Sequence, residues 1–283
     1  MSSFAFFGAN STQEVCELLE QHGSRAVLLA GGTDLLVKLR NGSISPEIVI
    51  GLGNIKALHA IEVLPDGGVK IGAAVALTDI ARHAYIQEQY TAVSEAALTV
   101  GSVQIQNIAT MAGNVCNASP AADTVPPLVV YDARVVLTSR GGKREIPVTE
   151  FITGPGETVL NNDEFVEYLV LPPAPPESFS CYFKLGRTNG VDLALVSAAC
   201  LGCGDRGDGL VRFSYGSVTP KPNSEAVENR SFTAAEGIIL DRIRKHLDPV
   251  SDIRASRGYR LAMAEVLTKR AFAKINREVG GLE

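Results

Sequence analysis

The chain has 283 residues, 46% hydrophobic and 20% charged, with a net charge of −5. That length allows one large domain or two to three smaller ones, and the composition excludes wholesale disorder. A phosphate-tracking nucleic-acid binder needs a positive surface, so that class is disfavoured.

No apolar run approaches the roughly 20 residues of a membrane helix. The N-terminus, Met1-Ser2-Ser3-Phe4-Ala5-Phe6-Phe7, lacks the basic region and long apolar core of a secretion signal. A cytoplasmic location with no membrane span is the expectation. Cysteines at 16, 116, 181, 200 and 203 are odd in number and scattered, which fits reduced thiols rather than a disulfide framework.

In chain order, Ser11-Thr12-Gln13-Glu14 predicts a capped helix to about His22. Residues 26–30 predict a buried strand, broken at Gly31-Gly32. Thr33-Asp34 can then cap a second helix to about Arg40, and residues 47–51 predict another strand. Residues 59–64 and 69–73 flank Pro65-Asp66-Gly67-Gly68 and predict a hairpin. Helices are expected at 77–84 and 88–99, followed by a segment of weak periodicity over 100–123. A second hairpin joins 135–139 to 145–148, and 164–171 alternates like a strand. Four prolines within residues 172–176 mark a linker. Three strands (181–185, 193–201 and 210–218) and two helices follow, the last over about 252–277. The fold class is α+β, with a boundary near residue 175.

Two loops can carry chemistry. In Leu28-Leu29-Ala30-Gly31-Gly32-Thr33-Asp34-Leu35 a strand enters a glycine pair and then a helix, a geometry that suits phosphate. A tight strand–helix connection is the bland alternative. In Thr110-Met111-Ala112-Gly113-Asn114 and Ala118-Ser119-Pro120-Ala121-Ala122-Asp123, small and hydrogen-bonding residues can wrap a polar ligand, or simply satisfy one another. The lone Cys200-Leu201-Gly202-Cys203 and four dispersed histidines imply no metal site. Lys184 is a charge among apolar neighbours, explicable by strand alternation. From residue 241 onward ten Lys/Arg face six Asp/Glu, either a solvated helix face or a docking one.

Together these loops resemble the FAD-binding medium subunit of molybdenum hydroxylases, the group that includes bacterial xanthine dehydrogenase. Ala30-Gly31-Gly32-Thr33-Asp34-Leu35 matches the first family signature. Gln104-Ile105-Gln106-Asn107-Ile108-Ala109-Thr110-Met111-Ala112-Gly113-Asn114, with Asp123 after it, matches the second. Thr153-Gly154-Pro155-Gly156 and the Asp252…Arg260 stretch look like further landmarks, so the resemblance spans the whole chain.

The resemblance implies a two-subdomain FAD-binding domain of the vanillyl-alcohol oxidase/PCMH type at residues 1–175 (subdomains about 1–55 and 56–175). A C-terminal α+β domain of the CO dehydrogenase flavoprotein type would occupy 176–283. It implies that Leu28, Leu29, Ala30, Gly31, Gly32, Thr33, Asp34 and Leu35 hold the FAD pyrophosphate and ribityl chain. Thr110, Ala112, Gly113 and Asn114 would form a second phosphate turn. Asp123 would bond the cofactor's polar chain or the adenosine ribose, Val166 would supply an apolar contact to the cofactor, and Lys184 would lie near the flavin. Val100, counted with the cofactor-binding residues, falls at a position that is aromatic in some relatives. It further implies a small partner subunit with 2Fe–2S clusters, a large partner with the molybdenum cofactor, NAD as a candidate acceptor, and a purine or other heterocycle as substrate. No catalytic side chain and no metal ligand are expected on this chain, because flavin chemistry resides in the cofactor. Ala112 stands where the family has glycine and Gln106 where it has arginine. These departures motivate the alternative of a non-catalytic structural subunit that has lost flavin. A standalone flavoenzyme is a third reading.

Overall fold

The computed structural model describes residues 3–188, 190–204 and 209–280, so the first two residues of the N-terminal stretch and the last three of the chain lie outside it. Strand β1 (Ala5–Gly8) opens the chain, followed by α1 (Thr12–His22), β2 (Ala26–Leu29), α2 (Leu35–Arg40) and β3 (Ile48–Gly51). Ser11 Oγ accepts the Glu14 N–H at 3.1 Å, and Glu14 Oε2 accepts the Asn10 N–H at 2.7 Å, which fixes the start of α1. The three strands form a parallel sheet in the order β1-β3-β2. β3 is central and buried along its length, as expected of a short apolar strand. β1 is an edge strand with Phe6 and Phe7 exposed; its brevity hides it from pattern reading.

A five-stranded antiparallel sheet follows, in the order β4-β5-β10-β6-β7. Its strands are β4 (Ile61–Val63), β5 (Val69–Gly72), β6 (Arg134–Ser139), β7 (Gly142–Pro147) and β10 (Phe165–Leu171). Between them run α3 (Leu77–Arg82), α4 (Ala84–Gln89), α5 (Thr91–Ala97), α6 (Val103–Gln106), α7 (Met111–Asn117) and α8 (Val125–Val130). The short elements α9 (Val148–Phe151), β8 (Ile152–Gly154) and β9 (Glu157–Thr158) precede β10. The helix expected over 88–99 is broken at Tyr90, whose backbone leaves the helical region (φ −133°, ψ 48°). The buried Tyr90 hydroxyl shares its one proton between Pro172 O at 2.8 Å and Gly67 O at 3.1 Å. Tertiary bonding here overrides helix continuity.

After the proline-rich stretch, β11 (Phe179–Leu185), β12 (Val196–Cys203), β13 (Leu210–Gly216) and β14 (Glu225–Glu228) form an antiparallel meander. The last two helices are α10 (Phe232–His246) and α11 (Arg257–Gly280). α11 begins five residues later than expected, because Asp252 and Arg254 pair with each other in a loop. Strand alternation gives this sheet two buried faces. Cys181, Cys200 and Phe213 face the helical side with Phe232 and Phe272, while Tyr182, Ala199 and Leu201 join the core of the preceding sheet. Tyr182 and Lys184, two apart on β11, thus point back toward the first 175 residues.

Candidate cofactor cleft

The first loop is shaped by two glycines with different jobs. At Gly32 the backbone turns left-handed (φ 75°), and a Cβ would lie 2.7 Å from the Leu29 side chain. At Gly31 a Cβ would lie 1.9 Å from Ile108 O and 2.9 Å from Ala109 Cα. The missing side chain of Gly31 therefore lets the first loop press against the backbone leading into the second. Leu36 N bonds Gly32 O at 2.9 Å and starts α2; Asp34 stands at its cap position with no side-chain cap bond, contrary to the expected role of Asp34 as a capping side chain.

The second loop is less irregular than its composition suggests. Thr110 Oγ1 accepts the Gly113 N–H at 3.0 Å and caps α7. Ala112 lies inside that helix, in right-handed backbone, so alanine is tolerated where the family has glycine. Asn114 Oδ1 accepts from Thr124 Oγ1 at 2.7 Å, which leaves the Asn114 amide N–H groups as donors. Lys38 Nζ donates to Asn117 Oδ1 at 2.7 Å and ties α2 to the end of α7. Gln106 is buried away from the cleft, donating to Leu98 O and Val100 O at 2.8 and 3.1 Å. It holds the segment that presents Val100.

A polar cluster stands at the seam with β11. Lys184 Nζ donates to Asp123 Oδ2 at 2.6 Å and to Thr99 O at 2.9 Å. The Tyr182 hydroxyl donates to Asp123 Oδ1 at 2.7 Å. Burial pushes the Asp123 carboxyl up, while the charge and hydrogen bond of Lys184, and then the Tyr182 bond, pull it back. Burial also drives the Tyr182 phenol well above its ordinary value, with the Asp123 charge adding to it, so it stays a neutral donor.

These parts surround one cleft of about 890 Å³, near the top of the roughly 300–1,000 Å³ range of small-molecule and cofactor sites. Of the predicted residues, Leu28, Ala30, Gly31, Gly32, Thr33, Asp34, Leu35, Val100, Thr110, Ala112, Gly113, Asn114, Asp123, Val166 and Lys184 line it; Leu29 does not. Leu29 alternates away from Leu28 and Ala30, which pack toward the core beneath the parallel sheet. Sequence reasoning missed Leu19, Leu52, Thr158, Leu160, Asn161, Glu164 and Leu193, which come from distant elements. Tyr182 was also missed, although its spacing of two from Lys184 on a strand is a usable signal.

The Asp252…Arg260 landmark is a brace. Arg260, with no exposed surface, donates to Leu195 O, to Ser217 O at 2.6 Å and to Asp252 Oδ1 at 2.7 Å. Ser217 N bonds Pro120 O at 2.7 Å, so the brace reaches the loop that carries Asp123. Gly156 N likewise bonds Ala118 O at 2.9 Å, connecting the other landmark to the same loop. Among the described residues no helix is long and apolar enough to cross a membrane.

The volume, the mainly apolar lining, the glycine turns and the few convergent polar groups fit an extended phosphate-bearing cofactor such as FAD. Residues 2–174 match the family described as FAD binding domain in molybdopterin dehydrogenase. The chain is 29% identical to the xanthine dehydrogenase FAD-binding subunit of Escherichia coli O157:H7, with 99% of each chain covered. It is 32% identical to the nicotinate dehydrogenase FAD-subunit of Eubacterium barkeri over 69% of this chain and 67% of that one. In structure it superposes with a TM-score of 0.86, at 27% identity, on a chain of carbon monoxide dehydrogenase from Hydrogenophaga pseudoflava, covering 95% of this chain and 96% of that one.

Proposed function

The chain belongs to the family of FAD-binding domains of molybdopterin dehydrogenases, and from that premise we propose that its cleft holds FAD at an electron exit of a molybdenum hydroxylase. It is an oxidoreductase subunit of the xanthine dehydrogenase-like kind. In this reading a small partner subunit with 2Fe–2S clusters delivers electrons, and they leave to NAD⁺ or another acceptor. A large partner subunit carries the molybdenum cofactor and oxidises a purine or other heterocycle, as the xanthine- and nicotinate-named relatives suggest.

When bound, FAD supplies the redox-active ring. The chain's own residues position it. The turn at Gly31 and Gly32 and the amide of Asn114 would hold the phosphates, Val100 and Val166 would supply apolar lining, and the Asp123–Lys184 pair would fix charge in the same cleft. Residues 1–175 act as the FAD-binding domain, in subdomains of about 1–55 and 56–175, and 176–283 as the C-terminal domain.

The observation that carries this reading is that one cleft unites both glycine-bearing loops with a buried Asp123–Lys184 pair. The flavin-free structural reading loses its motive, because Ala112 lies in regular helix and Gln106 does not line the cleft. The test is an anaerobic titration of the FAD-loaded chain with NADH. Bleaching of the visible flavin band supports NAD as the partner nucleotide, whereas a flavin reduced by dithionite but not by NADH removes NAD and leaves another acceptor.

A further inference from the structure

Six charged side chains line the cleft: Asp34, Lys38, Asp123, Glu164, Lys184 and Asp192. Most are neutralised within the protein. Lys184 pairs with Asp123 at 2.6 Å, Arg144 with Glu164 at 2.6 Å, and Arg187 with Asp192 at 3.3 Å. Lys38 is different. Among the described residues its ammonium group pairs with no carboxylate, and its one bond runs to the neutral Asn117 Oδ1 at 2.7 Å. Asp34 stands one helical turn earlier, at the usual spacing for an ion pair, yet the lysine reaches across to α7 instead. An ammonium group has three donors, so two remain for a ligand.

Bonds to both loops fix where that charge stands. α2 starts from the Gly31-Gly32 turn, and the Lys38 N–H donates to Asp34 O at 3.0 Å. Helical side chains lean toward the N-terminus of their helix, which carries Lys38 back toward that turn. On α7, Asn117 follows Asn114 by three residues, so the two share a helix face. We propose that Lys38 is the cation that recognises the cofactor's diphosphate, at the junction of the two loops. The inference rests on the flavin reading above. A diphosphate diester is anionic on both phosphates at neutral pH. The other cation of the lining, Lys184, is consumed by Asp123, which leaves Lys38 to meet that charge. Pattern reading passes it over, because a lysine on a short exposed helix ordinarily marks a solvated face.

The test measures Kd for FAD on the flavin-stripped full chain, by quenching of flavin fluorescence, for wild type, Lys38→Gln and Lys38→Arg. Each is titrated at low and at high salt. Glutamine keeps a donor for Asn117 and loses the charge; arginine keeps the charge. At low salt Lys38→Gln should bind FAD at least about fivefold more weakly, the upper range for an exposed ion pair. Raising salt from roughly 0.01 to 1 M shortens the screening length from about 30 to 3 Å, so wild-type affinity should fall and the gap to Lys38→Gln should close to within about twofold. Lys38→Arg should stay within about threefold of wild type and keep the salt dependence, because the charge persists. Lys38→Gln that binds FAD like wild type at low salt overturns the role of Lys38. A loss of the same size at both salt concentrations also overturns it, since a packing defect is not screened. So does a loss in Lys38→Arg as large as in Lys38→Gln. Wild type that binds no FAD overturns the flavin reading, and this inference with it.

Discussion

Lys184 and Asp123 form a 2.6 Å ion pair between β11 and the loop after α7, elements on either side of residue 175. Both side chains are nearly buried, at 12% and 7% exposure, and Tyr182 completes the carboxylate's partners. The pair costs desolvation on both groups, so removing one partner leaves the other uncompensated. Asp123 and Lys184 are thereby expected to act as one unit in stability and in cofactor binding.

Lys184→Met should destabilise the flavin-stripped chain by about 3 kcal/mol, the low end for breaking a buried pair because the cleft admits water to one side. Burial already raises the Asp123 carboxyl, and losing Lys184 raises it further. A carboxyl with a raised folded pKa contributes stability below its unfolded value and loses it as pH rises through the folded value. The variant should therefore lose more stability at pH 8 than at pH 5. Urea titrations at both pH values, with Lys184→Met/Asp123→Asn recovering part of the loss, measure this.

Gly31→Ala should separate the two loops, because the new Cβ meets Ile108 O at 1.9 Å. Flavin should be lost along with stability. Gly32→Ala meets positive φ and the Leu29 side chain instead, with a backbone cost of about 1–2 kcal/mol. Chemical denaturation and flavin content of the two purified variants distinguish them; a flavin-replete Gly31→Ala chain of wild-type stability would refute the loop-against-loop packing.

Ala112→Gly, the change toward the family pattern, should bring no gain in flavin affinity. It should cost about 0.5–1 kcal/mol of stability, because residue 112 lies within α7. Calorimetric FAD titration and a urea midpoint check both halves. Tighter flavin binding would mean that the turn wants the glycine after all.

The Arg144 guanidinium holds the Glu164 carboxyl below its ordinary value of 4.5. A depressed carboxyl contributes stability above its unfolded pKa and loses it as pH falls through its folded one. The stability of the wild type should thus decline as pH drops below about 4.5, the ordinary value. In Glu164→Gln that part of the decline should be missing. Urea midpoints across pH 3–6, an interval of roughly one to two units around a carboxylate pKa, record the difference.

Much of this site is legible from local sequence because its phosphate-facing parts are local. Gly31 and Gly32 stand at one strand–helix turn, and Thr110 to Asn114 fall within two turns of one helix. The apolar wall is not legible, since Leu19, Leu52 and Leu160 meet only after the parallel sheet and the five-stranded sheet pack together. Ala112 shows the opposite limit: the family's glycine pair suggests a special backbone, yet the residue is plain helix. β14 escapes pattern reading because Glu225-Ala226-Val227-Glu228 buries only Val227, and β1 because Ala5–Gly8 is too short to alternate. The break at Tyr90 is set by bonds to Gly67 and Pro172, one of them far along the chain.

The central claim is that this chain binds FAD. The visible absorption spectrum of the purified full-length chain, followed by acid release and quantitation of the cofactor, tests it most directly. The account predicts a flavin spectrum and about one FAD per chain, released as FAD rather than FMN, consistent with tight preorganised cofactor sites. A folded chain without flavin, and still without it after incubation with excess FAD, would contradict the account.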